Sequence, residues 1–431
     1  MPRIIIHRLG PIDHCELEID DYMVLTGPQA SGKSTIAKSV FYFKNVRTVI
    51  MQLLRRQHML SVDRMDLSLK NRLIRELRSV FLQTFGSTWC MDKQMMIRYE
   101  YNEGVSIEVS LRDDPVSPNY IWVELSWDLD AFLGRLDVDS YAGDMGSNLE
   151  FQDTVRQYVN DFFDDYSEVV YIPAGRSMIT LLSTQLSYVY SMMDDMQRRS
   201  IDYCTQNYLE RILQMKSYFS VDLEQLIKDR KELTDQKINT EVMKRAVYLI
   251  TQILKGEYRN VDGEERLQVA GNRYVKINFA SSGQQEAVWI LNVLFYYLLQ
   301  GKKTYFIVEE PESHLYPDAQ KLITEFISLV KNEGNQVMLT THSPYILGTL
   351  NNLLYANKIS NEVDKAALAR IIYKGEWIAF KNLSAYYLKA GHCKPCLDRE
   401  FQAIENGMID GASEDINRDF DSMLALREKT R

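Results

Sequence analysis

The 431-residue sequence lacks a long hydrophobic run, and no uninterrupted apolar stretch approaches the roughly 18 residues that a membrane-spanning helix needs. The first residues, MPRIIIHRLGPIDH, hold an apolar run of only three residues before they turn polar, which is unlike a secretory signal. We therefore expect a protein that does not contact a membrane.

Cysteine is also scarce, with five scattered residues. We expect no disulfide framework and a location in the reducing cytoplasm. The sequence GHCKPC brings His392 near Cys393 and Cys396, but this is half of a zinc site at best, because a second pair at suitable spacing is missing. A reduced loop is the expectation there.

The sequence also has no excess of positive charge, because its formal net charge is −9 at pH 7. This balance argues against a protein coated in nucleic acid and leaves only local basic stretches, at 53–58 and 69–79. The second stretch, LKNRLIRELRS, is typical of an amphipathic helix with a solvated basic face. A contact with a phosphate backbone is the alternative.

Strand-like sequences such as RIIIHRLG, EVVYIPAG, YFIVEE (305–310) and QVMLTTH (336–342) alternate with helical ones. The last two are short apolar runs that end in polar residues, as buried parallel strands do. Proline is absent from 177–255, and almost all of that stretch is compatible with a helix. The order predicts an α/β sheet with a helical subdomain inserted midway.

The sequence GPQASGKST at 27–35 lies between a predicted strand and a predicted helix. Its spacing matches G-x-x-x-x-G-K-[ST], in which glycines let backbone N–H groups face a phosphate at the start of a helix. Lys33 would neutralise the β- and γ-phosphates of a nucleotide, and the Ser34 hydroxyl would ligate Mg²⁺. The predicted nucleotide-binding residues of this phosphate loop are Gly27, Pro28, Gln29, Ala30, Ser31, Gly32, Lys33, Ser34 and Thr35.

Two adjacent glutamates, Glu309 and Glu310, end the apolar run of YFIVEE. Neighbouring carboxylates at the edge of a sheet repel each other and are costly to desolvate unless a cation or a proton lies between them. A Mg²⁺-nucleotide resolves this conflict: Glu309 would hold the metal through water, and Glu310 would orient and deprotonate the attacking water. A solvated acidic turn is the alternative.

Two further segments are placed to reach the same phosphates. The helix predicted in NFASSGQQEAVWI begins with free N–H groups and small polar side chains, which make either an anion site or an ordinary helix cap. The residues concerned are Ser281, Ser282, Gly283 and Gln284. His342 ends QVMLTTH, at the carboxyl end of a strand where ligands bind in open α/β sheets, and is a candidate contact to the γ-phosphate.

In this order, GPQASGKS, ASSGQQ, FIVEEPESHLYP and TTHSP resemble the Walker A, signature, Walker B with D-loop, and H-loop motifs of ABC-type ATPases. The resemblance points to the SMC/RecF/OLD-like group of non-transporter heads, which is often seen in bacterial anti-phage and toxin–antitoxin-type systems. It covers the nucleotide core at both ends of the chain, whereas the middle is matched by architecture only. The fold it implies is an α/β P-loop NTPase, an ABC-type ATPase head with a mostly parallel sheet, an antiparallel β segment and an inserted helical subdomain.

The resemblance implies a Mg²⁺-dependent ATPase with ATP and Mg²⁺ as its ligands and Lys33, Glu310 and His342 as catalytic residues. In such ATPases two heads face each other, and the signature motif of one closes over the nucleotide that the other holds. Ser281 and Gly283 would then contact the γ-phosphate in trans, and His342 would sense it in cis. A dimer, or a multiple of dimers, would close on ATP and reopen after hydrolysis.

The predicted organisation follows from these motifs. A first nucleotide-binding lobe with Walker A takes 1–45 and 86–176, interrupted by a helical insertion at 46–85. A helical subdomain at 177–260 precedes a second lobe at 261–380, which carries the signature, Walker B and H-loop. A C-terminal tail takes 381–431.

The sequence departs from the pattern of these ATPases at several points. Glu309 stands where the Walker B motif usually has aspartate, and Ser282 crowds a signature position where glycine is common. The sequence does not locate a Q-loop. YIPAGR (171–176) follows a strand at a suitable place, and its Arg176 would either act near the nucleotide or form a structural salt bridge. Arg8 is a similar candidate for an adenine-side or α-phosphate contact.

Four functions remain open. An ATP-switched dimer would control a partner effector, a nuclease or toxin encoded nearby, because no nuclease constellation is visible in this chain; a role in bacterial anti-phage defence would follow. A DNA-repair ATPase of the RecF kind needs a basic inner face, for which 69–79 and Arg198–Arg199 are the only hints. A small-molecule kinase would use the same phosphate loop, and a transporter subunit would need a recognisable Q-loop.

Overall fold

The structure is a computed structural model, and it describes residues 1–60, 68–113, 119–139, 148–180, 192, 201–233, 238–271, 273–405 and 417–423. None of the helices described there is long and apolar enough to cross a membrane. The strands are β1 (Arg3–Leu9), β2 (Ile12–Glu18), β3 (Tyr22–Thr26), β4 (Met96–Asn102), β5 (Val105–Arg112), β6 (Tyr120–Leu125), β7 (Glu168–Ile172), β8 (Glu257–Val261), β9 (Glu264–Ala270), β10 (Arg273–Lys276), β11 (Thr304–Glu309), β12 (Gln336–Thr341), β13 (Leu383–Lys389), β14 (His392–Pro395), β15 (Leu397–Asp398) and β16 (Ala403–Ile404). The α-helices are α1 (Lys33–Lys44), α2 (Val46–Leu60), α3 (Leu69–Phe85), α4 (Trp127–Asp139), α5 (Asn148–Phe163), α6 (Tyr203–Met215), α7 (Leu223–Leu233), α8 (Thr240–Leu254), α9 (Ser282–Gln300), α10 (Pro317–Asn332), α11 (Pro344–Ile359) and α12 (Lys365–Ile371).

Eleven strands form one mixed sheet in the order β6-β5-β4-β1-β2-β14-β13-β3-β12-β11-β7. The five strands from β13 to β7 run parallel to one another, as expected for strands that are connected through helices. The other half, from β6 to β2, is an antiparallel meander that extends the same sheet. The predicted α/β class is confirmed, and the parallel and antiparallel parts belong to a single sheet.

The central strands are buried on both faces, which explains their continuous apolar sequences. Alternate residues of β3 point into different cores: Tyr22 and Val24 pack with one cluster, Met23 and Leu25 with the other. The first core is covered mainly by α9, whose Trp289 is fully buried, together with α8 and α10. The second is covered by α1, the helix that follows the phosphate loop. The sheet therefore holds the phosphate loop and the start of α9 on rigid, packed elements.

Residues 383–389, which the sequence analysis placed in a C-terminal tail, form β13 in the middle of the sheet. β13 runs parallel to β3, with Ala385 opposite Val24, and is antiparallel to β14. The strand is recruited because its side chains Leu383, Ala385 and Leu388 bury against the two cores.

The expectation that the chain has no disulfide was wrong. Cys15 of β2 and Cys393 of β14 form a disulfide, with their Cα atoms 5.5 Å apart. The segment predicted as a reduced loop is therefore part of a strand and carries one bonded cysteine, while Cys396 is buried and free. The pair was invisible in the sequence because 378 residues separate its members, and the strand pairing alone brings them together.

The phosphate loop packs directly on β13 at Gly27. A Cβ at this position would lie 2.2 Å from the carbonyl oxygen of Leu388, and the φ of Gly27 is +145°, which L side chains rarely adopt. We expect Gly27→Ala to lower the free energy of unfolding by about 2–4 kcal/mol, measured by urea denaturation, because backbone atoms have to move apart.

Gly348→Ala is the matched control, since Gly348 lies inside α11 and a Cβ there would meet nothing within 4 Å. This variant should be as stable as the parent or up to about 1 kcal/mol more stable, through the helix propensity of alanine. Equal stability of the Gly27→Ala variant and the parent would contradict the close packing described for the loop.

Candidate functional site

The chemistry-bearing segments meet at the carboxyl edge of the parallel strands. β3 leads into the phosphate loop, β11 ends at Glu309, and β12 leads to His342. Because β12 lies between β3 and β11, the loop and the glutamates approach each other across His342. This edge is where ligands bind in open α/β sheets.

The phosphate loop leaves backbone donors free at the start of α1. Gly32 has a left-handed backbone (φ 103°) and precedes α1 without a side-chain cap, so the first N–H groups of the helix are left for a ligand. Lys33 Nζ donates to the carbonyl oxygens of Gly27 and Pro28, at 2.9 Å each. The lysine thus folds over the loop that it would use to hold phosphate.

The three predicted catalytic residues contact one another in series. Lys33 Nζ lies 3.4 Å from His342 Nδ1, and His342 Nε2 lies 3.3 Å from Glu310 Oε1. Burial lowers the pKa of Lys33, and the negative charges of Glu310, Glu312 and Glu309 oppose this shift. The structure therefore places a cation, an imidazole and a carboxylate side by side where a terminal phosphate would enter.

Glu309 fits a metal ligand by its own environment. Its side chain is buried, and Oε2 accepts a 3.4 Å hydrogen bond from the backbone N–H of Ala174. Oε1 is buried and makes no hydrogen bond of good geometry among the described residues, although the buried Tyr171 hydroxyl lies close enough to the Glu309 carboxylate to donate to it. A buried, unpaired carboxylate oxygen is costly, and a cation offsets this cost. Carboxylate and hydroxyl oxygens suit Mg²⁺, so Glu309 and Ser34 are compatible with the predicted metal site.

Arg176 proves to be a structural residue. Its side chain is fully buried, and its guanidinium donates to the carbonyl oxygens of Pro173 (2.6 Å), Glu309 (2.7 Å) and Glu310 (2.9 Å). Arg176 Nε also donates to the carbonyl of Glu286 and lies 3.4 Å from its carboxylate. Of the two alternatives for Arg176, the salt bridge is the one observed.

Glu286 completes this arrangement from the first turn of α9. Its carboxylate accepts hydrogen bonds from the backbone N–H groups of Arg176 and Ser177, at 2.9 Å each. Sequence reasoning did not single out Glu286, although a lone carboxylate in the apolar run QEAVWI was a usable signal. We call Arg176 and Glu286 the buried clamp, because together they join the 173–177 loop, α9 and the Glu309–Glu310 peptide.

Residues 281–284 form a helix cap. The Ser281 hydroxyl accepts from the Gln284 N–H, and the Gln284 side chain accepts from the Ser281 N–H, a reciprocal capping box. Ser281 and Ser282 are exposed, and none of the hydrogen bonds of the described chain joins Ser281 to the phosphate loop. Gly283 is needed for packing, since a Cβ there would lie 2.7 Å from the carbonyl oxygen of His314.

A cavity of about 950 Å³ opens beside the phosphate loop and is lined by Ser34 and Thr35. Arg8 lines the same cavity, with a left-handed backbone (φ 46°) and a 3.1 Å ion pair to Asp92. The structure thus places Arg8 in the same cavity as the start of α1, and Lys33, Glu310 and His342 are not among the residues that line this cavity. Its adenine-side or α-phosphate role stays a prediction.

The fold and the site together describe an α/β protein with a phosphate loop and an opposing acidic strand end. Residues 146–347 match the AAA ATPase domain family, and this match spans less than half of the chain. It supports an ATPase. No curated protein sequence is significantly similar to this chain.

Three solved structures are among those similar to the chain. An Smc head bound to the C-winged helix domain of ScpA is 11% identical, with a TM-score of 0.41, covering 91% of this chain and 95% of that one. An Smc head with an extended coiled coil bound to the C-terminal domain of ScpA, from Pyrococcus furiosus, is 12% identical, with a TM-score of 0.37, covering 97% and 100%. The SMC head domain from Thermotoga maritima is 12% identical, with a TM-score of 0.35, covering 91% and 97%.

Removal of the clamp arginine should destabilise the protein strongly. In Arg176→Ala four carbonyl groups lose a buried donor and the Glu286 carboxylate loses its ion pair, so we expect the free energy of unfolding to fall by about 3–5 kcal/mol in urea denaturation. Arg112→Ala is the control, because Arg112 forms an exposed ion pair with Glu124 and its loss should cost about 1 kcal/mol or less. Similar unfolding curves for the two variants would refute the importance of the clamp.

Proposed function

We propose that this protein binds and hydrolyses ATP with Mg²⁺ and acts as a nucleotide-dependent dimer switch that controls a partner effector. The observation that carries the proposal is the series Lys33–His342–Glu310 at the carboxyl edge of the sheet. It lies beside the phosphate loop and beside the partly unpaired carboxylate of Glu309. Phosphoryl transfer to water requires these components: cations on the phosphates, a metal ligand and a base near the γ-phosphate.

The roles of the residues follow from their contacts. A bound triphosphate would take over the Lys33 ammonium, which now donates to the carbonyls of Gly27 and Pro28, and the free N–H groups of α1. Glu310 would accept a proton from the attacking water, and His342 would contact the γ-phosphate between Lys33 and Glu310. Glu309 and Ser34 would hold Mg²⁺, which supplies positive charge to the phosphate oxygens when it is bound.

The dimer proposal rests on where α9 begins. Ser281 and Ser282 are exposed, and Phe279 (80% exposed) and Tyr316 (75%) are aromatic residues that a monomer leaves in water. Within one chain Pro28, Gln29 and Ala30 of the phosphate loop are exposed. In our proposal a second copy supplies Ser281 and the N-terminus of its α9 as the lid over the γ-phosphate. The buried clamp then links the start of α9 to the Glu310 backbone of the same chain.

The output of the switch lies in a partner, for which we propose an effector encoded nearby and a role in bacterial anti-phage defence, in the cytoplasm. Its support is indirect: the sequence carries no nuclease constellation of its own. The helical subdomain between β7 and β8 would offer a surface for the partner.

A DNA-repair role gains no support from the basic helix α3. Three of its four cations have partners within the chain, since Lys70 pairs with Asp130, Arg72 donates to Gln57 and Arg78 donates to the carbonyl of Ile121. The fourth, Arg75, is exposed. Arg198–Arg199 lie outside the described residues. DNA-stimulated hydrolysis that weakens with salt would favour this role over the proposed one.

Glu310→Gln should trap the ATP-bound state. The amide cannot accept the proton of water, so we expect hydrolysis to fall by about 10²–10⁴-fold while ATP binding remains. The closed dimer should accumulate with ATP, measured by light scattering after gel filtration. Glu103→Gln, in an exposed turn, should behave like the parent. Hydrolysis at the parental rate in Glu310→Gln would refute the assignment of the base.

If each ATP site combines Lys33 of one copy with Ser281 of the other, two inactive variants should restore activity when they are mixed. Ser281→Arg should keep ATP binding but lose hydrolysis, and Lys33→Ala should lose ATP binding. An equimolar mixture should recover about a quarter of the parental ATPase rate, because half of the dimers would be mixed and each would hold one intact site. Ser217→Arg, at an exposed serine of the helical subdomain, is the control for added charge. A mixture as inactive as its components, or a protein that stays monomeric at saturating ATP, would overturn the switch.

A further inference from the structure

Glu312 is a third carboxylate at the site, and the mechanism above gives it no role. It follows β11 in the loop that carries Glu309 and Glu310. Its Oε1 accepts two short hydrogen bonds, from the Thr341 hydroxyl and from the backbone N–H of His342, at 2.7 Å each. Its Oε2 is buried and has no hydrogen-bond partner among the described residues.

The bonds of Glu312 lie where the strand ladder stops. β11 and β12 pair in register up to Glu309 and Thr340, and the N–H of Glu310 still donates to the Thr340 carbonyl. Beyond this point β12 has no ladder partner on the β11 side. The Glu312 carboxylate takes the place of one for the backbone N–H of His342 and also accepts from the side-chain hydroxyl of Thr341. One side chain thereby sets where the end of β12 lies relative to the glutamate loop.

We propose that Glu312 is a positioning residue for His342: its carboxylate fixes the backbone of His342 so that the imidazole lies between Lys33 and Glu310. The predicted effect of Glu312 on the rate of ATP hydrolysis rests on the proposed ATPase function. The geometry that supports it is independent of ATP: with the backbone held in this position, the His342 ring lies 3.4 Å from Lys33 Nζ and 3.3 Å from Glu310 Oε1.

The two hydrogen bonds that Glu312 accepts do not require a negative charge. Burial raises the pKa of Glu312, and the nearby Glu310 adds to that shift, while the hydrogen bonds from Thr341 and His342 oppose it. A glutamine carbonyl oxygen accepts the same two bonds, with its amide group at the position of Oε2. A positioning role therefore predicts that glutamine replaces Glu312 and alanine does not.

The kinetic test compares Glu312→Ala and Glu312→Gln with the parent, each variant being checked for a parental unfolding transition. We expect Glu312→Ala to lower kcat by about tenfold or more with KM for ATP changed less than about threefold, since a displaced group costs rate rather than binding. Glu312→Gln should retain kcat within about threefold. Glu325→Ala, which removes a buried carboxylate of α10 paired with Arg245, controls for the loss of a buried acid.

A double-mutant cycle shows whether Glu312 acts through His342. In the His342→Ala background, Glu312→Ala should cause no further loss of kcat beyond about twofold. If the two losses multiply, Glu312 acts independently of His342 and the proposal is wrong.

A spectroscopic arm tests the proposal without hydrolysis. The chain has six histidines, so an NMR spectrum of protein labelled at histidine Cε1 contains few resonances. The resonance that disappears in His342→Ala is assigned to His342. Glu312→Ala should shift or broaden the His342 resonance, whereas Glu312→Gln and Glu325→Ala should leave it in place. An unmoved resonance in Glu312→Ala would overturn the inference. A parent that does not hydrolyse ATP would refute the proposed function instead and leave this arm decisive for Glu312.

Discussion

The site depends on one buried guanidinium. Arg176 donates to the carbonyls of Glu309 and Glu310 and pairs with Glu286, so that the acidic loop, the 173–177 loop and the start of α9 cannot move separately. Desolvating an arginine is costly, and the cost is offset only because its donors find acceptors in all three segments. The same contacts hold the Glu310 backbone in its left-handed conformation (φ 41°), which aims the carboxylate at His342.

Around this clamp the site holds an excess of carboxylates at close range. Glu309 and Glu312 each keep one buried oxygen without a hydrogen bond of good geometry among the described residues, and Glu310 contacts His342. The Lys33 ammonium, which interacts with all three carboxylates, is turned toward the carbonyls of its own loop. Such an arrangement favours a cation beside the glutamates and an anion beside Lys33 and the phosphate loop. A metal–nucleotide complex supplies both.

The parts of the site that the sequence predicted share one property: each is recognised from a motif of a few consecutive residues. Gly27 to Thr35 form a loop because glycines and a helix start are adjacent in the chain, and Glu309 and Glu310 stand out because carboxylates end an apolar strand. His342 was placed by the same rule about strand ends, and the structure brings it between Lys33 and Glu310. For residues 281–284 the local signal allowed a cap or an anion site; the structure shows a capping box, and a contact with the nucleotide of a second copy stays a proposal.

The sequence by itself determined the strand–loop–helix around Lys33, the acidic strand end and the α/β class, because each follows from the spacing of neighbouring residues. Only the tertiary structure decided the pairing of Cys15 with Cys393, the place of β13 beside β3, and the contacts of Arg176 and Glu312. These features join segments from distant parts of the chain. A single arginine, glutamate or cysteine carries no periodicity, so its partner is fixed only when the sheet order and the burial of the cores bring the two together.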